Sequence, residues 1–290
     1  MSADEPPADP DVARIFAPVA VEDTFAGVLT EAASVLGQID DPVDAELWGS
    51  DLIGALAASA AGPDSLTDAL TGSLVPAAEA ASTPESLALL RVFAAVGSPA
   101  LRAVAGPAAD RVRARDVADP PWAATLGRPR VGECWHYADV GGRQESLTMT
   151  FAYGDRQHAV SVLIDHGRGG KIKDTWVAQA AGLRADTERA ARENPLVVFE
   201  MIDAADAGRR LKRAIGAGEC PEQPDEVDDV VAHRALLRAR LDLLVSAGTQ
   251  LPGARRGRSG AAPPCAWHRG APRAGRRESA RASAPRARGG

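Results

Sequence analysis

The sequence predicts an α+β protein with a helical N-terminal half followed by an antiparallel β region. Apolar residues at helical spacing fill the chain to about residue 118. Residues 131–178, in contrast, hold four alanines, five aromatic residues and alternating apolar and polar positions. The N-terminal half is expected to be an irregular helical bundle or a HEAT-like array, and the β region a four-stranded antiparallel meander with flanking helices.

The first three helices are predicted from apolar residues that recur at i, i+3, i+4 and i+7. They lie around residues 25–36, 47–57 and 66–75, and Gly, Pro, Asp and Ser separate them. Few aromatic residues occur in this half, so each helix buries little area. Several helices must therefore pack together to form a core.

Two more helices are predicted from their terminal residues. The Ser82–Pro84 stretch supplies a capping hydroxyl and a first-turn proline, and Gly97 is suited to end the helix. The next helix covers about 101–115, where Pro107 predicts a kink or a break.

One hairpin is predicted down to its register. Two runs of alternating apolar and polar residues flank a Gly154-Asp155 turn, and a two-residue loop fixes the pairing at a residue sum of 309. The pairs that share the apolar face are then Phe151 with His158, Met149 with Val160, and Leu147 with Val162.

The remaining elements follow from composition and from stop signals. Strands around 134–140 and 171–178 complete the meander, and the adjacent apolar residues of 196–202 predict a buried strand. Helices are expected over 183–193, after an Asp203 cap, and over about 225–247 behind a proline-containing linker.

The chain divides into four predicted regions: a disordered lead (1–10), a helical domain (11–118), an α+β domain (119–250) and a disordered Arg/Ala/Gly/Pro tail (251–290). The formal net charge of −6 averages two unlike parts, because the last 38 residues hold ten arginines and one acid. The rest carries 23 basic and 38 acidic residues, a net charge of −15. Such a body argues against a dedicated nucleic-acid domain.

Three interpretations of the tail stay open: a basic arm for nucleic acid or an acidic partner, a passive linker, and a frameshifted or non-native terminus. The third rests on the abrupt change to residues with GC-rich codons after Pro252. The acidic, proline-containing start lacks a signal-peptide pattern, and no apolar run reaches 18 residues. A cytoplasmic protein that does not span a membrane is expected.

The densest polar stretch is the best candidate site. Its residues are expected to occupy a strand end, a glycine-rich turn and the next strand, where Asp165 would orient His166 as a general base and Arg168 or Lys171 would hold an anion. The alternative is a hairpin turn flanked by solvated charges. The candidate residues are Asp165, His166, Arg168, Lys171, Lys173, Asp174 and Trp176.

The sequence gives little support for a metal site, a disulfide framework or a known catalytic motif. Cys134, Cys220 and Cys265 show no metal-ligand or disulfide spacing, so neither metal nor cofactor is expected. His158 is interpreted as a packed histidine with one hydrogen bond. The sequence also lacks the GxSxG, HExxH and strand-linked GxGxxG motifs.

The order Trp135-His-Tyr-Ala-Asp-Val, His158-Ala-Val, Ile164-Asp-His, Gly169-Gly and Lys173-Asp resembles an uncharacterised family of proteins from high-GC bacteria. The similarity covers about residues 85–215, and Gly142-Arg143 departs from the Gly-Asp of that pattern. The resemblance implies this architecture, favours the Asp165–Asp174 stretch as a site and implies no particular activity. It also implies a different native continuation beyond Pro252.

The leading functional expectation is a non-catalytic interaction or regulatory protein that docks a protein partner through its helical half or an exposed sheet face. The alternative is a small-molecule-binding protein or hydrolytic enzyme that uses the Asp165–Asp174 stretch. An enzyme should gather these side chains in one concave pocket, whereas an interaction protein should spread them out and expose an apolar patch elsewhere. The sequence leaves the oligomeric state open.

Overall fold

A computed structural model describes residues 21–60, 62–218 and 228–250 of the chain. Within these ranges the chain forms nine α-helices and one five-stranded antiparallel sheet, which confirms the α+β class. The predictions for the N-terminal lead, the linker before the last helix, Cys220, Cys265 and the basic tail lie outside the described residues.

Six helices form the N-terminal half, and a π-helical turn at Leu70–Leu74 joins the third to the fourth. Proline lies in the first turn of α2 to α6, where its missing N–H breaks no helical hydrogen bond. The helices are α1 (Val21–Val35), α2 (Pro42–Ser59), α3 (Pro63–Ala69), α4 (Val75–Ala81), α5 (Pro84–Val96) and α6 (Pro99–Arg113).

The predicted ends of α5 are confirmed. Thr83 is the cap, because its side chain accepts from the Ser86 N–H while the Ser86 hydroxyl accepts from the Thr83 N–H, and Gly97 follows the last turn. Of the kink or break predicted at Pro107, the break is wrong, since α6 continues through the proline. Buried residues on both sides of the proline pack into the helical core, which offsets one missing hydrogen bond.

The sheet has five strands instead of the four expected. Its order is β4-β3-β2-β1-β5, so the last strand joins the meander on the outer side of β1. Because this pairing links residues about 60 positions apart, no local turn signal announces it. The strands are β1 (Arg130–Asp139), β2 (Gln144–Tyr153), β3 (Arg156–Asp165), β4 (Lys171–Gln179) and β5 (Val197–Ile202).

The β2–β3 hairpin has the predicted register. Phe151 pairs with His158, Met149 with Val160 and Leu147 with Val162, which confirms the sum of 309. These pairs lie on one face of the sheet, called the helix-covered face below. Trp135, Thr148 and Ser161 occupy the opposite face, called the second face.

Three helices follow the meander: α7 (Leu183–Glu193), α8 (Ala204–Gly218) and α9 (Asp228–Gln250). Residues of α8 and α9 pack on the helix-covered face, and α9 also contacts α2. A Cβ at Gly54 would lie 2.7 Å from the Val231 carbonyl oxygen, so glycine permits the close approach of these two helices.

The expectation of a buried last strand is wrong, because β5 is an edge strand with exposed apolar side chains. In the parts of the chain that the structure describes, no helix combines the length and apolar character that a bilayer crossing requires. The proposed division into a helical and an α+β domain stays a prediction.

Candidate functional site

The predicted site residues begin at the end of β3 and continue into β4. The Asp165 carboxylate accepts a hydrogen bond from the Arg168 backbone N–H at 3.2 Å and so caps a short 3-10 turn. Asp165 also pairs with Lys171 across the β3–β4 ladder. Asp174 Oδ1 accepts from the Thr175 backbone N–H at 2.8 Å. Both carboxylates therefore hold local backbone.

Two of the seven residues, Trp176 and His166, reach opposite faces of the sheet. Trp176 pairs with Ser161 on the second face, and Lys173 is exposed on β4. His166, in contrast, reaches Glu145 on the helix-covered face, where Nε2 and Oε2 are 3.0 Å apart. The assignment of one common site to these residues stays a prediction.

Glu145 is the centre of a half-buried ionic cluster that joins the sheet to α8. Arg210 donates from Nη1 to Glu145 Oε1 at 2.8 Å and from Nε to Asp206 Oδ2 at 2.9 Å. Burial alone would raise the pKa of Glu145, but the hydrogen bonds from Arg210 and His166 hold it below its ordinary value. The carboxylate is therefore ionised at neutral pH, with both of its oxygens bonded.

This cluster lacks the parts of a nucleophilic site. Burial raises the pKa of the Cys134 thiol to about 12, which leaves it protonated and unreactive at neutral pH. Within the described ranges, no group of three or more His, Cys, Asp and Glu side chains is arranged to hold a metal ion. The geometry suits docking of α8 on the sheet better than proton transfer.

A second polar network is fully enclosed between α2, α9 and the hairpin. Arg240 and Glu46 form a two-pronged ion pair with no exposed side-chain area on either partner. Tyr153 Oη donates to Glu46 Oε1 at 2.8 Å and accepts from the Gly127 N–H at 2.9 Å. The Arg240 guanidinium carbon also lies 5.0 Å from the centre of the Phe151 ring.

His158 completes this network as the packed histidine that the sequence predicted. Its ring stacks near Phe151 and Tyr153, and its Nε2 lies 3.2 Å from Arg240 Nη2. Because arginine only donates, Nε2 accepts and the neutral ring carries its proton on Nδ1. Burial, followed by the Arg240 charge, lowers the His158 pKa to about 4.

The Ser50 hydroxyl of α2 makes a separate buried contact with α9. Its Oγ donates to the Ala232 carbonyl oxygen at 2.6 Å and accepts from the Leu236 N–H at 3.0 Å. Both partners belong to α9, so one hydroxyl ties the two helices together. We therefore interpret the buried network as the joint between the helical half and the sheet.

Sequence reasoning missed Glu46, Glu145 and Arg240, although each left a signal. Arg240 falls within the apolar stripe of α9, between Leu237 and Leu244, and Glu145 occupies an inward position in the alternation of β2. Charged residues at inward positions indicate a buried partner. The partner itself could not be named, because Glu46 precedes Arg240 by 194 residues.

Compared with protein-family models, curated proteins and solved structures, the chain matches none of them. The resemblance to a high-GC bacterial family stays a prediction. A function must therefore be inferred from the geometry of the described residues.

Proposed function

We propose that this chain is a non-catalytic interaction protein, acting in the cytoplasm, whose β5 strand binds an extended segment of a protein partner. The observation that carries the proposal is a group of exposed apolar side chains at this edge. Leu196 is 65% exposed, Val140 60%, Val198 47% and Met201 42%. Soluble surfaces rarely gather such side chains without a binding role.

The four exposed residues also lie along one edge of the sheet. The Val140 N–H donates to the Leu196 carbonyl oxygen at 2.9 Å, which joins the ends of β1 and β5. Val198 follows two residues after Leu196, within β5, and lies on the helix-covered face, whereas Met201 pairs with Trp135 and lies on the second face of the same edge. Among the described residues, β5 has a strand neighbour on one side only. Unpaired backbone groups and apolar side chains thus occupy the same edge.

Charge further specifies the partner. Glu200 has 63% of its side chain exposed, with Oε2 2.9 Å from His136 Nε2. It shares a face with Val198, because their partners on β1 are His136 and Ala138. A strand added beside β5 would place its residues opposite this pair. We therefore expect a partner segment with an apolar residue facing Val198 and Lys or Arg facing Glu200.

The test is a selection of displayed random peptides on the full chain, followed by affinity measurements on the enriched peptides. We expect extended sequences with apolar residues at alternate positions and one basic residue. Val198→Lys should abolish their binding, because it puts a charge in the apolar contact. The matched control is Val245→Lys on α9, which changes a valine that is 51% exposed.

Two results would contradict the proposal. One is the absence of any enriched peptide, and the other is equal loss of affinity in both variants. Sedimentation of the chain over a range of concentrations adds a third outcome. A dimer that Val198→Lys dissociates would identify a second copy as the occupant of β5 and exclude a foreign partner segment.

The hydrolytic alternative has less support. Its best geometric element is the contact between His166 and Glu145, but the hydrogen bonds of both Glu145 oxygens already serve α8 and the turn. Asp165 likewise caps backbone. If the chain binds its partner through β5, His166→Asn should leave partner binding unchanged.

A further inference from the structure

A cavity of about 600 Å³ lies between helices of the N-terminal half and α9. It is formed by α2, α3, the π-helical turn, the junction of α5 and α6, and α9. Its volume falls within the range of pockets that hold small organic ligands, and gaps between packed helices are a common place for such pockets.

The interior of this cavity is aliphatic. Leu70, Val96, Leu101 and Ala235 line it and are buried, so they form its floor. Protein interiors seldom keep voids larger than a water molecule, and an apolar cavity destabilises the fold roughly in proportion to its volume. Water makes few hydrogen bonds with such walls. An apolar ligand group suits this floor better than water does.

Two local features border the cavity. Gly54 and Val231 bring α2 and α9 into backbone contact on one side, so these helices cannot close farther there. On another side the lining includes Leu70, the first residue of the π-helical turn. Single π-helical turns within α-helices occur often at functional sites.

The cavity lining also includes charged residues. Arg102, Arg234 and Arg238 are cationic lining residues, and Asp242 is the only acid in the lining. Arg102 Nη2 donates to Asp242 Oδ2 at 2.8 Å, and both side chains are partly exposed. The lining therefore combines an aliphatic floor with a mouth that has a positive formal charge.

We propose that this cavity binds an amphipathic carboxylate, with its hydrocarbon chain on the aliphatic floor and its carboxylate at Arg102 in the mouth. Arginine presents two parallel N–H donors that match a carboxylate. A bound carboxylate would share Arg102 with Asp242 or replace it. The cationic mouth disfavours an amphiphile with a positive head group, and a neutral one lacks the charge-assisted hydrogen bonds.

The test is calorimetric titration of the full chain with decanoate, decanol and decyltrimethylammonium, which carry the same hydrocarbon chain with different head groups. We expect saturable binding of decanoate, weaker binding of decanol and none of the cation. Arg102→Met should weaken decanoate about tenfold, as expected for one charge-assisted hydrogen-bonded contact, and leave decanol unchanged. Asp242→Asn should strengthen decanoate, since it removes the competing carboxylate.

Two bulky substitutions, one inside and one outside the lining, distinguish binding in the cavity from non-specific binding. Ala57 lines the cavity from an exposed position on α2, whereas Ala55 is exposed on the same helix and lies outside the lining. Ala57→Phe should therefore abolish decanoate binding, and Ala55→Phe should retain it. Equal binding by the two variants would overturn the proposal. So would decyltrimethylammonium binding as tightly as decanoate, or an unchanged decanoate affinity in Arg102→Met.

Discussion

The buried network around Arg240 and the exposed edge at β5 depart from the usual residue distribution in opposite directions. In the network, charged side chains are withdrawn completely from solvent. At the edge, valine, leucine and methionine side chains face solvent. Both kinds of departure are informative, because folded proteins normally bury apolar groups and expose charges.

The two regions differ in whether the departure is compensated within the chain. Each oxygen of Glu46 has a donor from Arg240, and Tyr153 adds one more. The network explains how the fold is held together, and its carboxylate is fully paired, although the buried Arg240 Nε and His158 Nδ1 have no hydrogen-bond partner among the described residues. Val198 and Met201 of β5 stay exposed among the described residues, although α7 also contacts this strand, and we infer that their partner lies outside the chain. The comparison predicts stability effects at the network and binding effects at the edge.

The largest effect on stability is expected from Arg240→Met. The substitution leaves the Glu46 carboxylate buried with Tyr153 as its remaining donor, so the free energy of unfolding should fall by about 3–5 kcal/mol. Urea denaturation measures this loss. Replacing both partners, with Glu46→Leu and Arg240→Met together, should recover much of it because no unpaired charge remains.

A control at an exposed ion pair separates burial from charge. Arg192 on α7 donates to Glu188 at the surface at 2.6 Å, and Arg192→Met should leave the stability unchanged. Equal effects of the two Arg→Met substitutions would contradict the structural role of the network.

The next effect is a dependence of stability on pH that originates at His158. Its pKa is about 4 in the folded chain against an ordinary value of 6.5. As the pH falls below 6.5, the unfolded chain gains a proton that the folded chain does not accept until about pH 4. The free energy of unfolding should fall across this window by up to about 3 kcal/mol.

His158→Gln isolates this contribution, since glutamine offers an acceptor to Arg240 and does not titrate. Urea denaturation of both proteins at several pH values gives the difference between their slopes. We expect the variant to lose less stability between pH 6.5 and pH 4. Parallel curves would show that His158 does not titrate as its burial implies.

A smaller effect is expected from Tyr153→Phe. The variant keeps the ring beside His158 but removes the hydroxyl that bridges Glu46 and the Gly127 N–H. The loss should be about 1–3 kcal/mol, because a buried donor and acceptor lose a partner while the Arg240 pair remains. A loss as large as that of Arg240→Met would show that the hydroxyl, and not the ion pair, dominates the network.

The smallest effect on stability is expected at β5. Val198→Lys places a charge on an exposed edge and should change the free energy of unfolding by less than about 0.5 kcal/mol, while partner binding is lost. Thermal or urea denaturation beside the affinity measurement tests this separation. A strong destabilisation would mean that Val198 supports the fold instead of a partner.

The sequence predicted what short-range rules determine. The β2–β3 register followed from a two-residue turn and an unbroken alternation, and the Thr83 cap followed from hydroxyl, proline and spacing. These features depend on residues within a few positions of one another, so one chain contains all the information they need.

Contacts between residues far apart in the sequence could not be predicted. The β5 strand was predicted from its composition. Its pairing with β1, however, joins residues about 60 positions apart in the sequence, and no short-range pattern indicates it. The same limit applied to Glu46 and Arg240, which only the packing of α2 on α9 brings together. In the candidate site, the contact of Glu145 with Arg210 likewise requires the docking of α8 on the sheet, whereas the place of Glu145 near His166 was within reach of the predicted β2–β3 register.

The most direct test of the central claim is amide hydrogen exchange of the full chain with and without a selected peptide. The two edge strands then serve as probe and control, because β4 carries charged residues and contacts α8 and α9, whereas β5 carries the exposed apolar group. We predict slower exchange at Val197–Ile202 on peptide binding and unchanged exchange at Lys171–Gln179. Unchanged exchange in β5, with protection elsewhere, would contradict the account.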